Sequence, residues 1–194
     1  MEHIVRGERV FLRAFERTDA ETYRRWRADA GPMDLAGYPD RAPLSLVQVE
    51  QRIERITSDQ GKDLFTFLIC LLDDERPIGE VSLFEVDRLN GSAMLGIFIG
   101  ESNEWGKGYG TDAVNALVDF AFAELRVERV GLNVWTENVR GMRAYEKAGF
   151  VHEGTLRHDR YEHGRFTDGH VMSLLRDEWR ALPRHGTSVR PHAR

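Results

Sequence analysis

The hydrophobic positions of this chain change period several times, and each change marks an element. Val10-Phe11-Leu12 is a short apolar run that reads as a first strand. Thr18-Asp19-Ala20-Glu21 has the capping-box form and predicts a helix running to about residue 29, ended by Ala30-Gly31-Pro32. The Gly- and Pro-containing stretch 31–43, with Tyr38, predicts a loop; a second capping box, Ser45-Leu46-Val47-Gln48, opens a helix to about residue 58. Three strand patterns follow at 64–72, 77–85 and 92–100, the first nearly continuous in apolar residues. Short polar turns separate them, one carrying the Asn90-Gly91 hairpin signal, so they form an antiparallel meander.

Beyond the meander the period becomes helical. Val114, Leu117, Val118, Ala121, Phe122 and Leu125 form one apolar stripe. A strand over 129–134 follows, continued by Trp135 and Thr136, and strand–helix–strand implies a right-handed crossover between parallel strands. Asn138 caps a further helix with Val139, Met142, Tyr145 and Ala148 on one face; Gly149 sits at C′ and Phe150 supplies the accompanying apolar contact. Segments 150–156 and 166–175 read as a hairpin closed near His163-Gly164. The expected architecture is one α/β domain over 1–182: a mixed sheet with an N-terminal antiparallel meander, a parallel pair in the middle, a C-terminal hairpin and about four helices. Residues 183–194, rich in Arg and His, read as a disordered basic tail.

A length of 194 residues suits one domain, and 41% hydrophobic with 30% charged residues is the composition of an ordinary globular protein. A net charge of −5 disfavours a nucleic-acid partner and is compatible with a cationic small substrate. The single cysteine, Cys70, excludes an intrachain disulfide and a thiolate metal cluster; inside an apolar run it reads as a buried, inert thiol. No apolar run has the length of a membrane span and the N-terminus lacks a signal-peptide pattern, so a cytoplasmic protein with no membrane partner is expected.

Candidate chemistry concentrates where the third meander strand meets the long helix. Ile97-Phe98-Ile99 closes the strand, a polar loop follows, and Gly106, Gly108 and Gly110 lead into the helix. Glycines let a backbone approach a ligand closely, and free N–H groups at a helix start attract phosphate oxygens, so the stretch reads as a pyrophosphate cradle. The Walker pattern fails, because Glu101 and Gly108 stand where it needs Gly and Ser or Thr. Gly108-Tyr109-Gly110-Thr111-Asp112-Ala113 fits the dinucleotide fingerprint G-x-G-x-x-A, which keeps a nucleotide-dependent oxidoreductase open as a second reading. Against that reading, the polar segment 101–107 separates the fingerprint from its strand, and the preceding meander is antiparallel.

With these elements placed, residues 5–179 resemble the GNAT N-acetyltransferase superfamily and, within it, the RimJ/RimL-type branch. Trp105 to Ala113 is similar to the acyl-CoA loop R/Q-x-x-G-x-G/A, with Trp105 in place of the Arg or Gln; Asn138 to Phe150 is similar to the signature N-x(6)-Y-E-K-x-G-F. Glu153-Gly154 and Gly164-Arg165-Phe166-Thr167-Asp168 resemble the RimJ/RimL branch. The resemblance implies acetyl-CoA as co-substrate, no metal, and a primary amine acceptor, either a small molecule or a protein N-terminus, attacking directly in a ternary complex. It implies that backbone at Trp105, Gly106, Lys107, Gly108, Tyr109, Gly110 and Thr111 holds the phosphates. The strand residues Ile97, Phe98 and Ile99 border an open wedge for the pantetheine arm, Asn138 and Lys147 belong to the cofactor side, and Tyr145 donates to the CoA sulfur. A homodimer through the sheet edge or the last hairpin is also implied. Relatives often place a glutamate where this chain has Met94, which leaves a non-catalytic acyl-CoA-binding regulatory domain as an alternative. Among other carboxylates, Glu80 and Glu85 lie on one strand with opposite parity and so should face opposite sides; Glu85, near the strand end, is the candidate general base.

Overall fold

The nearly continuous run of apolar residues over 64–72 is explained by where that strand lies. In the computed structural model, which describes residues 5–36, 42–162 and 164–183, it is β3 (Phe65–Leu71), the third strand of an eight-stranded sheet. The others are β1 (Val5–Arg6), β2 (Val10–Arg13), β4 (Pro77–Asp87), β5 (Ser92–Ile99), β6 (Arg129–Trp135), β7 (Val151–Glu162) and β8 (Arg165–Leu175), in the spatial order β1-β2-β3-β4-β5-β6-β8-β7. All neighbours are antiparallel except β5 and β6. Helices α1 (Ala20–Ala28), α2 (Ala30–Ala36), α3 (Leu46–Asp59), α4 (Tyr109–Glu124), α5 (Val139–Lys147) and α6 (Arg176–Ala181) complete the described residues.

Both faces of the sheet are covered. Successive side chains of a strand point to opposite faces, so Leu12, Ile69 and Leu71 pack with the α4 stripe Val114, Leu117, Ala121 and Phe122, while Phe11, Leu68 and Cys70 pack with Tyr23, Trp26, Val49 and Ile53. A strand buried on both faces has no polar side to alternate, hence its continuous apolar run. Cys70 is fully buried and burial pushes its thiol pKa up.

The meander, the crossover helix and the last hairpin stand where the sequence placed them. So does the second capping box, in which Gln48 N–H donates to Ser45 Oγ at 3.3 Å and Ser45 N–H to Gln48 Oε1 at 2.9 Å. Four features differ. Residues 30–36 are helical rather than a loop, because Pro32 falls in the first turn of α2, where its missing N–H has no intrahelical partner to lose. The first capping box is shifted: a 3₁₀ turn, Arg17–Asp19, precedes α1, and Asp19 Oδ2 accepts the Glu16 N–H at 2.8 Å. The short β1, and α6 with its Trp179 indole on Asp119 Oδ1 at 2.5 Å, carried no periodic signal long enough to read. Tyr38, His163 and residues 184–194 of the expected tail lie outside the described residues.

Two details of the sheet set the shape of the cleft between its middle strands. β5 and β6 pair only over Ser92–Met94 against Arg129–Gly131 and then diverge. Met94 sits at the closed end, its sulfur 3.1 Å from where a Cβ on Gly131 would lie.

Candidate active site

The loop after β5 is tied down at both ends and left open in the middle. Gly100 and Glu101 N–H both donate to Ile78 O, at 2.9 and 3.1 Å, and a 3₁₀ turn (Ser102–Glu104) carries the chain away from the sheet. Trp105 N–H is used within that turn, and Asp112 N–H donates to Gly108 O. Between them, among the described residues, no backbone N–H from Gly106 to Thr111 makes a hydrogen bond. Gly106 and Gly108, just ahead of the first turn of α4, have φ of +75° and +91°, the left-handed region that only glycine enters without steric cost.

Three carboxylates hold this geometry. Asp112, in the first turn of α4, accepts the N–H groups of Glu8 (2.9 Å), Arg9 (2.8 Å) and Val10 (3.0 Å), pinning the β1–β2 turn to the helix start. Buried Glu104 accepts from Lys107 Nζ and Arg76, each at 2.8 Å, and those bonds hold its carboxyl below the usual range. Glu101 Oε1 accepts the Trp26 indole N–H at 2.7 Å, fixing the loop to α1. The Lys107 ammonium is therefore committed to Glu104; Lys107 contributes backbone to the open stretch, and its side chain does not line the cavity above the loop.

That cavity, of about 570 Å³, opens over the unbonded amides. Ile97, Phe98 and Ile99 border it from β5; Trp105, Gly106, Gly108, Tyr109, Gly110 and Thr111 from the loop; Asn138, Tyr145 and Lys147 from α5. A second groove of about 570 Å³ is bordered by Arg52 and Arg55 of α3, Glu80 and Glu85 of β4, Met94 of β5 and Asn133 of β6. The two cavities share Ile97, Phe98, Asn138 and Tyr145, so they meet where β5 and β6 part.

The local fold aims Tyr145 at that junction. Asn138 Oδ1 accepts the Gly141 N–H at 2.9 Å and starts α5. Gly149, at φ +94°, ends it in a Schellman motif, with Phe150 N–H on Tyr145 O and Gly149 N–H on Glu146 O, both at 3.0 Å. Tyr145 is 7% exposed, burial pushes its phenol pKa up to about 12, and the hydroxyl has no hydrogen bond among the described residues.

The two carboxylates of β4 are not on opposite faces. The ladder with β5 slips between Phe84 and Asp87, and Glu85, at φ +52°, sits in the resulting bulge, which turns its side chain onto the groove that Glu80 also borders. Glu85 is exposed. Glu80 is buried and accepts from Tyr23 Oη at 3.2 Å, which in turn accepts from Arg52 Nε at 2.9 Å. Sequence reasoning missed this Arg52–Tyr23–Glu80 chain and the Asp112 brace; both join segments far apart in sequence and leave no periodic trace.

Unbonded amides at a helix start, an adjoining strand with one side open, and a buried phenol between two cavities suit an acyl-CoA thioester on one side and an acceptor on the other. The sequence profile of the acetyltransferase (GNAT) domain family matches residues 9–151. The chain belongs to the GNAT acetyltransferase family. The probable N-acetyltransferase YjcK of Bacillus subtilis (strain 168) is 33% identical over 177 residues, 89% of this chain and 97% of that protein. The putative ribosomal N-acetyltransferase YdaF of the same organism is 36% identical over 120 residues, 62% of this chain and 65% of that protein. Among solved structures, the spermidine N-acetyltransferase from Vibrio cholerae in complex with CoA and spermine superimposes with a TM-score of 0.78 at 26% identity, covering 88% of this chain and 97% of that one.

As a GNAT acetyltransferase, the chain takes acetyl-CoA as co-substrate and transfers the acetyl group to an amine. The oxidoreductase and regulatory-domain readings are thereby set aside. Among the described residues, no group of three or more His, Cys, Asp or Glu side chains is placed to hold a metal ion, and no helix is long and apolar enough to cross a membrane.

Proposed function

We propose that the chain is a RimJ/RimL-type enzyme that acetylates a small amine seated in the groove over β4, with Tyr145 stabilising the CoA sulfur as it departs. The observation that carries the reading is the position of the Tyr145 phenol, unbonded among the described residues and bordering both cavities where the strands part. In the transfer a C–N bond forms, the C–S bond breaks, the amine gives up a proton and the sulfur leaves as a thiolate. A thiol has a pKa near 8.5. A phenol at about 12 keeps its proton beside such a thiolate, so Tyr145 acts as a hydrogen-bond donor to the sulfur, and the thiolate takes its proton from solvent afterwards.

For the amine's proton the strand register favours Glu80 over Glu85. Glu80 is opposite Phe98, in the stretch where β5 has already left β6, whereas Glu85 lies past Phe84–Met94, at the closed end. The groove holds both signs, with Glu80 and Glu85 facing Arg52 and Arg55. That supports a compact amine whose ammonium meets Glu80, and it sets the acceptor apart from a long polycation, which would also have to pass the two arginines. We further place the protein in the cytoplasm and infer a homodimer through β7, the sheet edge, where Leu156 and Tyr161 are exposed; light scattering on the eluted protein tests the latter. The deciding experiment is a thiol-release assay with acetyl-CoA over spermidine, amino acids, an aminoglycoside and a peptide N-terminus. On the best acceptor, Glu80→Gln should lower kcat/KM by about ten-fold or more while Glu85→Gln changes it less than about three-fold. The reverse order would return the role to Glu85.

A further inference from the structure

A diphosphate brings two negative charges to the cradle, and amides alone supply only partial charge to meet them. Among the described residues, the loop has no free cation of its own. Lys107 is paired with Glu104, and Arg9, beside it, donates through Nη1 to Lys107 O at 2.6 Å and lies over the Tyr109 ring at 4.3 Å. The cations bordering the cavity come instead from α5: Arg140, Arg143 and Lys147. Arg140 differs from the other two in being seated. Its guanidinium carbon is 3.9 Å from the centroid of the Trp105 ring, and that ring is itself fixed by a hydrogen bond from its indole N–H to Ile99 O at 3.0 Å. No carboxylate pairs with Arg140 among the described residues, so its donors are uncommitted.

We propose that Arg140, held over the Trp105 ring, is the cation that neutralises the diphosphate of CoA, and that Trp105 is its support. The tryptophan at the head of the glycine loop then has a positive role. It replaces a cation carried on the loop with a surface that seats one supplied by α5. A guanidinium stacked on an aromatic ring loses less rotamer freedom on binding than an unsupported one, and its edge keeps its donors for two phosphate oxygens. Burial is the one influence moving the Arg140 pKa, and it lowers it, as expected for a cation partly withdrawn from water with no acid beside it.

The inference rests on the cradle being the CoA diphosphate site, and titration calorimetry with CoA, dephospho-CoA and 4′-phosphopantetheine separates the two claims. Arg140→Ala should weaken CoA and dephospho-CoA alike by about ten-fold or more, the worth of one charge-assisted hydrogen bond, with a smaller loss for 4′-phosphopantetheine, which carries a single phosphate. Trp105→Ala should weaken CoA in the same sense, and adding it to Arg140→Ala should cost little more, because the two act as one unit. The double variant Trp105→Arg/Arg140→Ala, which returns a cation to the loop, should recover most of the lost affinity, which a merely structural role would not do. An Arg140→Ala affinity within about two-fold of the parent overturns the proposal, as does a loss seen with CoA and absent with dephospho-CoA, which would put Arg140 on the 3′-phosphate. A full loss produced by Arg143→Ala or Lys147→Ala, with Arg140→Ala silent, overturns it too. Failure of the parent protein to bind CoA at all would overturn this inference and the cradle together.

Discussion

Replacing Tyr145 with Phe tests the site where geometry and energetics can both be worked out. The ring is buried against Phe150 and the core beneath α4, while the hydroxyl bonds nothing among the described residues. Removing that oxygen therefore leaves no orphaned partner inside the protein, and stability at neutral pH should change by less than about 1 kcal/mol. The rate should change far more. A preorganised hydrogen-bond donor to developing negative charge contributes about 10²–10³-fold, so kcat should fall by about a hundred-fold or more with the affinity for acetyl-CoA nearly unchanged.

The same residue gives a second, independent signature at high pH. Burial raises the Tyr145 pKa from 10 to about 12. Because the folded value lies above the unfolded one, the folded state holds its proton longer. The stabilisation is full below pH ~10 and is lost as pH rises through about 12. Two units correspond to about 3 kcal/mol. Alkaline unfolding followed by circular dichroism should thus show the parent losing stability in that window more steeply than Tyr145→Phe. A Phe variant with parental kcat, across the amine panel and with chemistry rate-limiting, would refute the role assigned to the phenol. An unchanged alkaline limb would refute its burial.

Asp112→Ala removes the acceptor for three backbone N–H groups and should cost about 3 kcal/mol or more, read as a lower thermal midpoint together with weaker CoA binding, since the helix start loses its brace. Gly108→Val places a β-branched residue at φ +91° beside the open amides; CoA affinity should fall by about ten-fold or more while far-UV circular dichroism is retained, and unchanged affinity would count against the cradle. Cys70 should react with iodoacetamide in the native protein at under about a tenth of the rate seen in denaturant, because the thiol is buried and its pKa raised; comparable rates would contradict the packing of β3 between two cores.

Much of the fold was legible because its signals are local. The Ser45–Gln48 box, the Asn90-Gly91 turn, the α4 stripe and the Gly149 stop each depend on residues close together in the chain, and each element stands in place. What escaped depended on context. Pro32 reads as a helix stop in isolation, yet in the first turn of α2 it breaks no bond. The parity argument for Glu80 and Glu85 holds for a regular strand, and the bulge at Glu85 removes the regularity. α6 is six residues long and is held by the contact of Trp179 with Phe122, their ring centroids 5.1 Å apart, rather than by its own pattern.

The cofactor side and the acceptor side differ in legibility for a physical reason. The proposed phosphate cradle is made of backbone, and backbone geometry is written in short sequence through glycines at positive φ and a helix start, so one contiguous stretch was enough to suggest it. The proposed acceptor groove is assembled from α3, β3, β4, β5, β6 and α5, with bordering residues spread from Arg52 to Tyr145. No spacing in the chain can encode a contact such as Arg52 to Tyr23 to Glu80, which exists only after α1 and α3 have packed on β4. The same reasoning says where substrate specificity can vary without loss of the fold. Changes at Arg55 and Glu85, both exposed at the groove, alter the charges an incoming amine meets and leave the core clusters and the open amides untouched. Changes at Asp112 or Glu104 would instead weaken the cofactor side for every acceptor equally.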